Sequence, residues 1–221
     1  LAKFLHISQC RVRSDEQHTL TDWRASRHLS YLSVLALAFT FPFLHGTTGL
    51  FLDHPFDVTL LKEINRLVTL HTLPYKVPNA SPGEFTTVDM AAGDTVFGDH
   101  ELLIAQVPKL MESTAKAMEE KKAHPMILAA RFHGFYEYLH PFRDGNGRTG
   151  RLMSNFILLH FDLPELIIRK EDREEYIGAL RQIRTENTDE YLISFFFNKA
   201  MAQMKSDMGQ KKKANRPMFF F

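Results

Sequence analysis

The sequence predicts a mainly helical domain with one small β-hairpin. Three observations predict it. Apolar residues recur at three- and four-residue spacing in six stretches, parted by breaks rich in proline, glycine and short polar residues. Only Phe85 to Met90 reads as a strand, with Ala92-Gly93-Asp94 as its turn and Val96-Phe97 opening the return strand. A dense polar cluster, His140 to Arg151, lies between two apolar runs, which makes it a loop joining two largely buried helices.

Residues 1 to 28 are mixed and weakly patterned, and residues 30 to 44 are markedly apolar. A membrane span needs about 20 apolar residues. This run is cut by Pro42 and then by His45 to Gly49, and it lies too far from the N-terminus for a usual signal peptide. It reads as a buried helix of an N-terminal extension over 1–55, and a membrane role is not expected. Val58 to Leu70 carries Leu61, Ile64, Leu67 and Val68 on one helical face. Pro74, Pro78 and Pro82 forbid a continuous helix after it. Val107 to Glu120 is the next helix, with Pro108 in its first turn, where proline is tolerated. The following helix opens at Pro125 and stacks Leu128, Phe132, Phe135 and Leu139. Its His133 has no zinc-spaced partner and reads as a packed residue. Beyond the polar cluster, a helix from Arg151 stops at about Phe161, and Arg173 to Arg184 forms an amphipathic one. Asn187 or Thr188 caps the last, whose buried stripe is Tyr191, Leu192, Phe195, Phe196 and Met201. From Lys205 the composition turns basic, and 205–221 reads as a disordered tail.

Composition excludes several classes. Of 221 residues, 44% are hydrophobic and 24% charged, which suits one ordinary domain with an appendage and argues against global disorder. A net charge of +1 gives no reason to expect nucleic acid as a partner. The single cysteine, Cys10, cannot close an internal disulfide, which fits a reducing, cytoplasmic setting; secretion as an effector stays compatible.

The polar cluster reads His140-Pro141-Phe142-Arg143-Asp144-Gly145-Asn146-Gly147-Arg148-Thr149-Gly150-Arg151. Each residue type there has a chemical use. The Gly-Asn-Gly triplet lets a ligand approach the main chain. Unpaired N–H groups at the opening of the next helix, with the positive end of its dipole, attract an anion. Arg148 and Arg151, three apart, share a helix face and can grip phosphate oxygens. Asp144 repels phosphate directly but can share Mg²⁺ with it. His140 suits a general base near neutral pH. Together these are the parts needed to move a phosphorus group onto a hydroxyl.

The stretch resembles the signature of the Fic family, H-P-F-x-(D/E)-G-N-G-R-x-x-R, at every specified position. The resemblance covers roughly residues 56–204 and implies a Fic catalytic domain with a mainly helical Fic fold. It implies Mg²⁺-dependent transfer of AMP from ATP to a Ser, Thr or Tyr hydroxyl of a target protein, releasing pyrophosphate. His140 would deprotonate the hydroxyl, Asp144 would hold Mg²⁺ on the phosphates, and Gly145, Asn146 and Gly147 would form the anion hole. Arg148 would contact the phosphates; Arg151 would bind the terminal phosphate or an inhibitory carboxylate. Phe142 would anchor the loop in the core. Phe85, Thr86, Thr87 and Val88 look like the hairpin flap that docks the target by strand addition, although the family often has Arg where Thr86 stands. Tyr176 loosely matches a tyrosine near the adenine, but reads first as a core or pocket-wall residue. The related Doc branch, which phosphorylates, usually has Lys where Gly147 stands. Fic-type transfer of UMP, phosphocholine or phosphate, removal of AMP, and a non-catalytic binding module are the alternatives.

Many Fic proteins also carry an inhibitory helix, (S/T)-x-x-x-E-(G/N). Thr59 to Glu63 matches all but its end, where Ile64 stands, and Glu186-Asn187 has the end but Gln182 at the start. Glu63 therefore reads as a solvent-facing helix residue. The brake would then lie on a separate antitoxin-like protein or an N-terminal segment. The sequence leaves the oligomeric state open, a homo-oligomer included.

Overall fold

The computed structural model describes residues 54–73, 77, 80–92, 95–97 and 99–214, with side chains of the last helix through Met208. The expected N-terminal extension, its apolar run at 30–44 and Cys10 lie outside the described residues, apart from His54 and Pro55. The described residues are mainly helical, and the chain divides into two compact units between Glu165 and Leu166. That division falls inside the span 56–204 expected as one catalytic domain.

The first unit holds α1 (Val58–Thr69), β1 (Ala91–Ala92), β2 (Thr95–Val96), α2 (His100–Glu120), α3 (Pro125–Leu139) and α4 (Asn146–His160). Asp57 caps α1, its carboxylate accepting the Leu60 N–H at 2.9 Å. Leu60, Leu61, Ile64 and Val68 are buried along that helix. The helix α4 packs on both α1 and α3, and α2 covers α3. Phe56 ties the layers together, its ring 5.2 Å from Phe132 of α3 and 5.6 Å from Phe156 of α4.

Three expected boundaries are corrected. The helix α2 starts at His100 rather than Val107, because Asp99 caps it by accepting the Glu101 N–H at 2.9 Å. Pro108 therefore sits in its interior, on an exposed position where the missing hydrogen bond is least costly. The helix α4 starts at Asn146 rather than Arg151, since Gly145 already turns the chain at φ +80°. The expected strand over Phe85 to Met90 does not form. Thr86 Oγ1 donates to the Val88 carbonyl at 2.7 Å and accepts the Val88 N–H at 3.2 Å, so a side chain takes groups that a ladder would use. Among the described residues the two-stranded ladder pairs Ala91 with Val96 and Ala92 with Thr95, antiparallel.

The second unit holds a 3₁₀ turn (Lys170–Asp172), α5 (Arg173–Thr185) and α6 (Glu190–Ala214). Thr188 Oγ1 accepts the Glu190 N–H at 3.4 Å, near the limit of such a bond. The two helices bury Tyr176 against Phe195, ring centroids 5.9 Å apart. Lys199 of α6 donates to Asp172 at 2.5 Å, and Gln203 accepts the Ile167 N–H at 3.2 Å. The disordered tail expected from Lys205 is corrected as far as Ala214, where the last helix ends. Lys, Met, Gln and Ala favour a helix there and no proline interrupts it. No helix among the described residues is long and apolar enough to cross a membrane.

Candidate active site

The site is assembled where α3 ends and α4 begins. His140 is the residue at which α3 stops: its N–H still donates to the Tyr136 carbonyl at 2.9 Å, while its own φ is +51°. That left-handed conformation costs a non-glycine residue about 1–2 kcal/mol, so the surroundings must hold it. Phe142, only 1% exposed, sinks the next turn into the core and meets the Phe85 ring at 5.3 Å, as an anchor should. Asn146 closes the loop from within. Its Nδ2 donates to the Phe142 carbonyl at 2.6 Å, and its Oδ1 accepts the Phe142 N–H at 3.0 Å and the Tyr136 hydroxyl at 3.3 Å. The Asn146 carboxamide thus spends its oxygen and one N–H on the loop.

The helix opening has the expected form. The first backbone bond of α4 runs from the Thr149 N–H to the Gly145 carbonyl at 2.9 Å, and no side chain caps Gly145. The N–H groups of Asn146, Gly147 and Arg148 therefore precede the helical ladder and lie at the positive end of a 15-residue helix. Gly145 is required twice over. Its φ is +80°, and a Cβ there would lie 2.5 Å from Thr69 Cγ2.

The back wall of the loop is α1. Asn65, 1% exposed, donates through Nδ2 to the Asp144 carbonyl at 3.0 Å and to Thr149 Oγ1 at 3.1 Å, and accepts the Gly83 N–H at 3.1 Å. Arg148 Nη1 donates to the Val68 carbonyl at 2.7 Å, and its Nη2 to Asp144 Oδ2 at 3.3 Å. Arg151 lies elsewhere: its Nη1 would be 3.1 Å from a Cβ on Gly147, a point that Glu137 Oε1 approaches at 3.9 Å. The two arginines share a helix but have different neighbours, Arg148 at α1 and Arg151 at α3.

The His140 ring stacks on Phe97, centroids 3.7 Å apart and planes at 14°, and its Nδ1 is 3.6 Å from Glu137 Oε2. Burial pushes the Glu137 carboxyl up; His140, His133 and Arg151 outweigh that and hold it below the usual range. His133 is fully buried and its pKa is lowered, burial being the main cause, which agrees with its reading as a packed residue. Among the described residues, the one group of three acidic or histidine ligands, Asp89, Asp99 and His100, lies on the exposed hairpin side.

Asp144 stands at the mouth of the α4 opening with 23% of its side chain exposed. A single hard carboxylate beside an anion-binding helix terminus fits Mg²⁺, which takes one or two carboxylates and completes its shell with phosphate and water oxygens. The segment expected to dock the target is tied to the signature loop. Phe85 bridges Phe142 in antiparallel sense, the Thr86 N–H donates to the Pro141 carbonyl at 2.8 Å, and Arg143 reaches Met90 Sδ at 3.8 Å. Thr87 and Val88 are exposed there. Tyr176 belongs to the second unit and packs on Phe195. Glu63 makes a bidentate pair with Arg66, both bonds 2.7 Å, with 42% of its side chain exposed, as a surface helix residue should.

Sequence reasoning missed Asn65, Phe97 and Glu137. A polar Asn65 inside the buried stripe of α1 was a usable signal, as was a carboxylate at Glu137 one turn before His140. Nothing local marked Phe97.

The Fic/DOC family model matches residues 55–158, from just before α1 into the last turn of α4. A Fido domain-containing protein of Dictyostelium discoideum is 32% identical over 101 residues, which are 46% of this chain and 71% of that protein. A protein adenylyltransferase Fic of Nematostella vectensis is 34% identical over 120 residues, 54% of this chain and 27% of that protein. The chain thus spans about a quarter of the length of this adenylyltransferase. A solved Fic-1 fragment from C. elegans shares the fold with a TM-score of 0.64 at 20% identity, covering 97% of this chain and 70% of that one. With the family model running from α1 to α4 and a relative matched over 71% of its own length at 32% identity, this chain belongs to the Fic/DOC family.

Proposed function

We propose that this chain transfers AMP from ATP to a hydroxyl side chain of a protein and releases pyrophosphate. The observation that carries the reading is the placement of His140 and Asp144 on either side of one loop that opens into the N-terminus of α4. Relatives named protein adenylyltransferase support it. The target oxygen attacks the α-phosphorus in line, and the bond from that phosphorus to the bridging oxygen of pyrophosphate breaks. His140 takes the proton of the hydroxyl as the new phosphorus–oxygen bond forms. Backbone N–H groups of Asn146, Gly147 and Arg148 hold phosphate oxygens, fixed before the substrate arrives. Arg148 uses two of its five N–H donors on Val68 and Asp144, which leaves donors for a phosphate. Arg151 adds positive charge beside Gly147 for the distal phosphate. Asp144 is the residue that would hold Mg²⁺, and a cation held there would supply neutralisation of phosphate charge. Thr87 and Val88 offer main-chain groups to the incoming target segment.

The test uses ATP labelled separately at its α- and γ-phosphates, with the chain and a cell extract supplying targets. Label on protein from the α-position alone is expected. Label from the γ-position alone overturns AMP transfer and makes the reaction phosphorylation.

A further inference from the structure

A histidine base needs one ring nitrogen to accept a proton and the other held by something that fixes the tautomer. Nδ1 of His140 is a buried atom, although 19% of the side chain is exposed, so the accessible edge of the ring lies away from Nδ1. The group across from Nδ1 is Glu137 Oε2, at 3.6 Å. Such contacts are often long before substrate binds and tighten in the reacting complex. Phe97 closes one ring face at 3.7 Å, so the imidazole has little freedom to rotate away from the carboxylate.

Glu137 sits 9% exposed on a helix whose buried face is mostly apolar, where a carboxylate is costly unless cations meet it. The groups around it are His133 and His140 from its own helix, Tyr136 beside it, and Arg151 from α4. Gly150 makes room for it: a Cβ there would lie 3.0 Å from Glu137 Oε1. The chain thus brings a buried carboxylate to the ring nitrogen that does not face outward.

We propose that Glu137 is the positioning carboxylate of His140. It accepts the Nδ1–H hydrogen bond, holds the ring against Phe97, and leaves Nε2 to take the proton of the target hydroxyl. It also stabilises the imidazolium that results, and no proton passes to Glu137 itself. The proposal rests on His140 acting as the base of the AMP transfer.

Two measurements test it. In the parent protein labelled with ¹⁵N-histidine, the nitrogen shifts of His140, assigned with His140→Gln, report the tautomer. The Nδ1–H form is expected, and the Nε2–H form overturns the proposal. This readout needs no activity, so it stands even if labelled ATP shows no transfer and the functional reading fails. The second compares Glu137→Gln with the parent in the α-label assay. The turnover rate is expected to fall at least roughly tenfold, with the loss seen on removing an orienting carboxylate in serine proteases, about 10⁴-fold, as an upper bound. KM for ATP should stay within about twofold, because the loss lies in the chemical step. A Glu137→Gln enzyme with the parent's turnover rate overturns the assignment.

Discussion

His140 occupies a left-handed position at a helix end, where glycine is the usual residue. Such strain persists where the side chain is needed, and the imidazole cannot be supplied by glycine. His140→Ala should reduce α-label transfer by at least roughly 10²-fold, the lower range for a general base. ATP affinity measured by calorimetry should hardly change, since the proposed phosphate cradle is built from the backbone of α4 and from arginines. Transfer at the parent rate would remove His140 from the reaction. Asp144 makes a different prediction. Its Ala variant should lose the Mg²⁺ dependence of ATP binding, and calorimetry with and without the metal decides it: an unchanged difference takes Asp144 out of the metal site. Glu63 makes a third. It is committed to Arg66 on the exposed side of α1, so Glu63→Gly should leave self-modification close to the parent level. A large rise in labelling would show that Glu63 restrains the enzyme.

At the scale of elements, α1 fixes the loop that α3 and α4 share. Thr69 Cγ2 stands where a Cβ on residue 145 would fall, at 2.5 Å. Gly145→Ala should therefore destabilise through two separable effects, overlap with Thr69 and about 1–2 kcal/mol of left-handed backbone strain. Thr69→Ser removes the methyl and keeps the hydroxyl that donates to the Asn65 carbonyl at 2.7 Å. In urea denaturation the double variant should be more stable than the two single losses add up to, with the backbone part remaining. Strict additivity would show that Thr69 does not limit the loop. Asn65 explains what was legible in the sequence and what was not. The helix of α1 followed from its apolar spacing, and the signature loop from residue types at short range. A polar residue in the buried stripe of α1 marks Asn65, but its partner Asp144, 79 positions away, leaves no local trace. The strand at Phe85 was misread for a similar reason: its β-prone residues were plain, but the turn made by the Thr86 hydroxyl was not. Phe97 reaches His140 only once the hairpin has folded back.

For the molecule as a whole, the buried charges of the first unit set how stability depends on pH. Burial holds the pKa of His133 below its ordinary value, with Glu137 opposing and Arg151 assisting. In the window below about pH 6.5, the unfolded chain binds a proton at this residue and the folded chain does not. Stability should thus be full above that window and fall as pH drops through it, by up to about 1.4 kcal/mol per pH unit for one proton. Glu137 acts lower on the scale. Its folded value is depressed, so its contribution is present above the ordinary carboxylate range and disappears as pH falls through the folded value. His100 has the opposite sign: its hydrogen bond to Asp89 raises its pKa, so its contribution is present below the unfolded value and lost as pH rises through the folded one. That pair lies at the surface, His100 31% and Asp89 64% exposed, and salt should largely silence it. The comparison is His133→Gln against the parent, by urea denaturation at high salt between about pH 7.5 and about pH 5. Taking the difference cancels the remaining histidines. The variant is expected to be less stable at neutral pH, because a packed ring is lost, yet to show a shallower decline below about pH 6.5. Parallel declines would mean that His133 takes up its proton in the folded chain, and that the polar cluster between α3 and α4 is open to water.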